Sequence, residues 1–398
     1  MGARSRLLAL GLCVDVLAAC GGGAPADAGI DAARADAGTL PTGDSGCPAG
    51  PDDYTPRILA SSTDSWPPCI SDQPGPDGPF TPIGTTISSV ARTEAFDTMF
   101  APGGLLADAT RDPSPAEFTN ARVLYEVAQG IGSRVVRRSD EHYPQPSPAD
   151  CQMGAIVAAS PHYCVGPTEL SWIAQSAFVA GITAVDPPSR IHAARLEAAL
   201  TWFLFLSVYK ESESCTDTAA DCDSSWGYYC GGVNDRAGGI GISRLVRALD
   251  DEAHQRIWDA ELAVRCWRDL DPAPLATMLT LRDRARAQQD RALLRGAALV
   301  IVDRLRRMAA ATGDEQRAHY EWLRTLLASL PAHLIPSPDP MAPDIAVDAR
   351  ESLADRMIRE RSVPDADAVL ADFDSATGPA DIDAAGIASR LEALFPCP

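Results

Sequence analysis

The stretch from Ala198 to Tyr209 (AALTWFLFLSVY) carries no charge on any face when wound as a helix, and this limits the chain's folds more than any other feature. A helix that is apolar all round has no face to offer water, so it belongs in the middle of a packed bundle. The helix containing it is expected over 188–211, opening at Pro188-Ser189. A second run of this kind lies in 290–311, with Leu299 to Val302 as its dry centre. Around these two, apolar residues recur at helical spacing in four more segments. They are 116–138 (Val123, Val127, Ile131, Val135), 168–185 (Leu170, Ile173, Ala177, Ala180), 250–268 (Ala253, Ile257, Ala260, Val264, Trp267) and 314–330 (Tyr320, Leu323, Leu327, Leu330). In 250–268 the steps alternate four and three, the spacing of coiled-coil-like packing. Pro331 stops the last segment, and a Pro-rich linker over 331–343 leads to shorter helices at about 343–361, 364–373 and 379–395. Alternating runs of β-branched residues, the mark of strands, are nearly absent. The expected class is all-α: a multi-helix bundle, or two packed bundles divided near 331–343, with irregular disulfide-braced loops.

The N-terminus has a different character. Arg4 and Arg6 precede an apolar run from Leu7 to Ala19, which is too short to span a bilayer and has the length of an export signal. The sequence Leu17-Ala18-Ala19-Cys20 resembles the lipobox of bacterial lipoproteins. That resemblance implies removal of residues 1–19, diacylglycerol on the Cys20 sulfur and acylation of its amino group. Gly21 in place of an aspartate implies sorting to the outer membrane. Several acyl chains at about 0.8 kcal/mol per buried methylene anchor a protein stably, where one chain does not. The implied partner is a lipid bilayer, reached through acylated Cys20. Residues 20–53 are mostly Gly, Ala, Asp, Pro, Ser and Thr, too poor in large apolar side chains to offset their own ordering entropy. They are expected to form a disordered tether, followed by a helical domain over 54–398. Between Tyr54 and Phe80 prolines continue, but Ile58, Leu59, Trp66 and Cys69 appear, so this part is expected to lie as irregular chain on the domain surface.

Asp and Glu number 54 against 34 Lys and Arg, a net charge of −20. Nucleic acid is thereby excluded as the main partner, since phosphate binding runs on basic excess. The cysteines fit export. Leaving out Cys13 and Cys20, nine of the eleven remain, and an odd number leaves one over. Cys151 and Cys164 flank one short loop, Cys215 and Cys222 another, and Cys230 is within reach of Cys266. Two of Cys47, Cys69 and Cys397 would pair and tie down the C-terminus. The alternative is metal, with Cys215, Cys222 and Cys230 near Asp217, Asp221 and Asp223. Their spacing lacks the close cysteine pairs of structural zinc sites, and the acidic triplet lacks the EF-hand pattern. Disulfides are the favoured reading, with no metal and no cofactor expected.

Catalytic templates find little support. Ser207-Val208-Tyr209-Lys210 has the Ser-x-x-Lys spacing of penicillin-binding enzymes, yet the partner motifs are missing, and Lys210 reads better as a helix C-terminal cation. His254 and His319 have carboxylates nearby in sequence and read as solvated helix-surface pairs. The segment Trp226-Gly227-Tyr228-Tyr229-Cys230-Gly231-Gly232 reads as a tight connection that packs aromatics on the bundle. If the chain binds a ligand, Trp226, Tyr228, Tyr229, Asp235 and Arg236 are the candidates to stack on it and hydrogen-bond it. In outline, an exported all-helical lipoprotein is similar to imelysin-like proteins, which would imply a metal-dependent binder or hydrolase. Their Gly-x-His-x-x-Glu hallmark is missing, so the similarity extends to architecture alone. The leading expectation is a non-enzymatic, outer-membrane-anchored binding or structural module.

Overall fold

The computed structural model describes residues 52–56, 66–72, 80–84, 88–107, 110–184, 186–327 and 378–394. Cys20, Cys47, Cys397, the linker at 331–343 and the expected helices at 343–361 and 364–373 lie outside the described residues, as does the tether apart from Asp52 and Asp53. Among the described residues every regular element is helical, so the chain is an all-α bundle. The long helices are α1 (Ser88–Phe100), α2 (Pro115–Glu126), α5 (Ser171–Thr183), α6 (Ser189–Ser214), α7 (Asp221–Cys230), α9 (Asp251–Leu270), α10 (Leu279–Ala310), α11 (Gly313–Leu327) and α12 (Ala384–Leu394). Shorter ones are α3 (Ile131–Val135), α4 (Gly154–Ala159) and α8 (Ile242–Leu249).

Local sequence explains where several of them start. Pro115 opens α2 behind a reciprocal cap, in which the Ser114 hydroxyl accepts from the Glu117 backbone N–H (3.3 Å) and the Glu117 carboxylate accepts from that of Ser114 (2.7 Å). The Asp250 carboxylate caps α9 by accepting from the Ala253 N–H at 3.1 Å. Helix α6 is central and packs against α5, α7 and α11, while α10 packs against α9, α11 and α12. By length and composition α6 could cross a membrane, but 89% of its apolar window is buried inside the protein, which marks a core helix. One hydrophobic cluster gathers buried residues from Tyr54 to Ala388, and a small second one holds Cys151, Tyr163 and Cys164 with Ile156 and Val157 of α4 packed against it. The expected stripe of α9 is buried throughout, at Ala253, Ile257, Ala260, Val264 and Trp267.

Three helical expectations change. The segment 116–138 is broken between α2 and α3, where Gln129 has φ 62° and Gly130 precedes the second helix. Val123 and Val127, expected to face the core, are 65% and 57% exposed. Phe118, Ala121 and Tyr125 form the buried face of α2 instead. Of the segment 226–232, read as a connection, residues 226–230 form the second half of helix α7, which Gly231 ends at φ 66°. Helix α10 starts at Leu279, well before residue 290, because tertiary burial of Leu281 and Ala285 supports a first half with no dry centre of its own.

Two expected disulfides form, Cys151–Cys164 and Cys215–Cys222. The expected Cys230–Cys266 pair does not. Cys266 joins Cys69, and Cys230 is a buried free thiol whose pKa burial pushes far up. The bridge fastens the irregular N-terminal segment to α9. There Tyr54, Trp66, Cys69 and Phe80 are buried, as expected for chain laid on the bundle. The Tyr54 N–H donates to Gln288 Oε1 at 2.8 Å, and its hydroxyl to Asp72 at 2.9 Å.

Candidate functional site

A cavity of about 380 Å³ opens where the end of α3, the end of α6 and the loop before α4 meet. Ile131 and Val135 bury one face of α3, so the helix is held while its C-terminal turn delivers Arg134, Arg137 and Arg138 to the cavity wall. The chain at Gly166 presses against this turn, its N–H donating to the Arg138 carbonyl at 2.8 Å. A Cβ at position 166 would stand 1.9 Å from the Val135 carbonyl oxygen, so only glycine allows the approach. Lys210, Glu211 and Glu213 come from the last turns of α6, and Thr216 and Asp217 from the loop closed by Cys215–Cys222. Cys151, bonded to Cys164, lines the third side. Both flexible walls are thus covalently braced.

Behind the cavity lies a buried cationic layer. Arg138 is 4% exposed and pairs with Glu211 at 3.1 Å. Its guanidinium also reaches the Tyr228 hydroxyl at 3.4 Å, and Arg92, 3% exposed, donates to the same oxygen at 2.9 Å. Arg138 stands over the rings of Phe203 (5.1 Å) and Tyr228 (5.5 Å), an arrangement that lets a guanidinium sit in a nearly dry place. Burial would raise the Glu211 pKa, but Arg138 and Lys210 beside it hold the carboxyl below its ordinary value. Burial lowers the Arg137 pKa, and so does crowding by Arg134, Arg92 and Arg138. Asp221, on α7, is pushed up to about 6 by burial and by repulsion from Glu211.

The loop that forms the third wall is clamped to α10 by His142. One ring nitrogen meets Asp140 and the other Asp290, each at 2.7 Å, and the ring stacks on Tyr209 at 3.9 Å. With a carboxylate on both nitrogens the ring is a double donor, an imidazolium. Burial alone would lower its pKa, but the two aspartates raise it above 6.5. A His with a raised folded-state pKa contributes stability that is fully present below the unfolded value and is lost as pH rises through the folded one. His142→Ala is therefore expected to cost about 2 kcal/mol at pH 6 and clearly less at pH 9, measured by chemical denaturation.

The five ligand candidates expected from the sequence do not come together. Trp226, Tyr228 and Tyr229 are all buried on α7 and point in different directions. Trp226 stacks on Phe80 at 4.6 Å, and Tyr228 backs the arginine layer. The Tyr229 hydroxyl meets His254 Nδ1 at 2.7 Å, while His254 Nε2 donates to the Arg236 carbonyl, also at 2.7 Å. His254 is thus a buried neutral ring and not a surface pair. Asp235 is exposed, and Arg236 pairs with Asp259 at 2.6 Å. Of the five, only Tyr228 adjoins the cavity wall. His319 is likewise buried, and burial with Arg304 and Arg307 nearby lowers its pKa to about 3.

Ser207 donates to the Phe203 carbonyl at 2.5 Å within the core, and Lys210 to Ser214 at 2.6 Å, so they do not form a catalytic pair. Asp223 accepts from the Ile83 and Gly84 N–H groups at 2.9 and 2.6 Å, which takes it away from Asp217 and Asp221. Among the described residues no group of three or more His, Cys, Asp or Glu is placed to hold a metal. No protein-family model, curated protein or solved structure matches the chain. The function therefore rests on the geometry of the cavity. Its residues had one sequence signal, the basic run Arg134-Val135-Val136-Arg137-Arg138 in an acidic chain, which by itself reads as an ordinary helix C-terminus.

Proposed function

We propose that the chain is an exported lipoprotein, anchored to the outer membrane through acylated Cys20, whose helical body is a binding module with its ligand site in the α3–α6 cavity. The single observation that carries the binding part is a cavity of about 380 Å³ whose polar walls are held by two disulfide-closed loops and the His142 clamp. That volume lies within the range of small-molecule sites. Walls fixed in advance also lower the ordering cost of binding. The lipobox at 17–20 supports the anchor, and three disulfides among the described residues fit an oxidising compartment.

The anchor is tested by expressing full-length protein and its Cys20→Ser variant in a Gram-negative host. The parent is expected in the detergent-rich phase of a phase-separation assay and the variant in the aqueous phase. Equal partitioning of the two would remove the lipid anchor from this account.

A further inference from the structure

Residues 139–164 stand apart from the bundle. The main core takes Val135 and Val165 but no buried apolar residue between them. The segment packs on itself instead: Cys151, Tyr163 and Cys164 are buried together, with Tyr143, Ile156 and Val157 against them, around the Cys151–Cys164 bridge. Its own helix, α4, has no fully buried side chain. Its two ends lie side by side at a neck, where the Asp140 N–H donates to the Tyr163 carbonyl at 2.7 Å and the Gly166 N–H to the Arg138 carbonyl at 2.8 Å. Glu141, Gln145, Asp150 and Tyr163 of this segment line one part of the cavity, and Arg134, Lys210, Ser214 and Asp217 of the bundle line another. A piece with its own small core, a narrow neck and one side on a cavity has the build of a lid, able to open as a unit without unfolding the bundle.

His142 holds this lid to the bundle. Its Nε2 reaches across to Asp290 on α10, and its ring lies on Tyr209 of α6. Its Nδ1 and its backbone N–H both meet Asp140, two residues earlier, at 2.7 and 3.1 Å. The charged and titratable groups packed round it are Asp140 on its own segment, Asp290 and Arg286 on α10, and Tyr209 on α6. Arg286 stands over the same Tyr209 ring at 4.5 Å and pairs with Glu213 at 2.5 Å, so its charge is already matched. A neutral imidazole has one N–H and cannot donate to both carboxylates. The Asp140 contact lies within the segment and moves with it, so the Asp290 side is the one left facing a lone pair. We infer that residues 139–164 are a lid on the α3–α6 cavity, latched while His142 carries its charge and released as one piece when the ring gives its proton to water. The two aspartates keep that charge on the ring above the ordinary histidine range, so the lid is closed at pH 6 and freed at pH 9. This rests on the cavity being the ligand site, as proposed above, and names how access to it is controlled.

The test is amide hydrogen exchange of purified, oxidised Cys20→Ser protein at pH 6 and pH 9, each rate divided by the chemical rate of an open amide at that pH. No ligand is added, so failure here removes the lid and leaves the binding reading standing. Amides over 140–163 are expected to exchange ahead of the centres of α6 and α10, and their protection to fall by at least about tenfold from pH 6 to pH 9. In His142→Ala the segment is expected to start near the parent's pH 9 value and to change little with pH. Asp290→Asn, which keeps the ring and its Asp140 bond, is expected to loosen the segment at pH 6 and to shrink the fall. Glu261→Gln, which acts on the bundle as a whole, is expected to leave the fall over 140–163 in place. Melting curves of each variant confirm folding before exchange. A segment that loses protection only in step with the centres of α6 and α10, a His142→Ala variant that keeps the parent's fall, or an Asp290→Asn segment as protected at pH 6 as the parent's would each overturn the inference.

Discussion

Replacing Cys69 and Cys266 together by serine is expected to destabilise the protein by about 5 kcal/mol, the largest effect of any disulfide described here. The two cysteines are 197 residues apart, and a bridge across so long a loop removes a large share of the unfolded chain's freedom. The entropy of closure grows with the logarithm of loop length. On that scaling the Cys215–Cys222 bridge, with a separation of 7, is worth about half as much. The long bridge also does something in the native state that the short one does not. The segment around Cys69 has one 3-10 turn, Ile70–Asp72, as its regular structure, and a few bonds tie it to α9. These include Ile70 N–H to Asp269 at 2.8 Å and Ser71 Oγ to the Leu262 carbonyl at 3.1 Å. Without the bridge, Trp66 and Tyr54 would have to stay buried on noncovalent contacts such as these and the Tyr54–Gln288 bonds to α10. The double variant is expected to melt on the order of 10 °C below the parent, and Cys215→Ser/Cys222→Ser to lose about half of that. If the short-loop variant falls further than the long-loop one, this account of the bridge is wrong.

Stability is also expected to fall as pH rises from 6 to 8, and Glu261→Gln to remove most of that fall. Glu261 is 1% exposed in the centre of the bundle. Its carboxylate accepts from Ser225 at 3.1 Å and Gln289 at 2.7 Å, with no cation paired to it among the described residues. Burial pushes it up to about 7 from an ordinary 4.5, and the two hydrogen bonds only partly oppose this. Between those values the folded state holds a proton that the unfolded chain has released. Folding therefore weakens with rising pH across that window, by a total on the order of 3 kcal/mol. Asp221, pushed up to about 6, and Asp259, raised by burial, act in the same sense. His254 and His319 act in the opposite sense, because buried neutral rings lose stability as pH falls below 6.5. The parent is expected to be most stable near about pH 6. Chemical denaturation across pH 5–8 should show the Glu261→Gln variant gaining on the parent as pH rises, and exceeding it by roughly 1–3 kcal/mol at pH 8. An unchanged slope, or a variant weaker than the parent at pH 8, would refute this assignment.

What could be seen in the sequence was what depends on nearest neighbours along a helix. The dry centres at 198–209 and 299–302, the stripe of α9 and the starts at Pro188 and Asp250 follow from periodicity and local sequence, and they predict a helical bundle that the fold bears out. Short loops closed by Cys151–Cys164 and Cys215–Cys222 were legible for the same reason, since partners 13 and 7 residues apart are near whatever the tertiary fold. The pairing of Cys69 with Cys266 was not, because closeness across 197 residues is set by packing, which also left Cys230 inside with no partner. Packing likewise decided that the stripe through Val123 and Val127 faces outward, since α5 meets α2 at Phe118 and leaves no room for a Cβ at Gly181. The cavity was beyond sequence in a stronger sense. Arg92, Arg138, Glu211 and Tyr228 come from four separate stretches, and the ion pair and hydrogen bonds among them exist only once the fold has brought those stretches together. Helices are local because their hydrogen bonds are. A site built from charges that must find one another across the fold is decided by the tertiary structure alone.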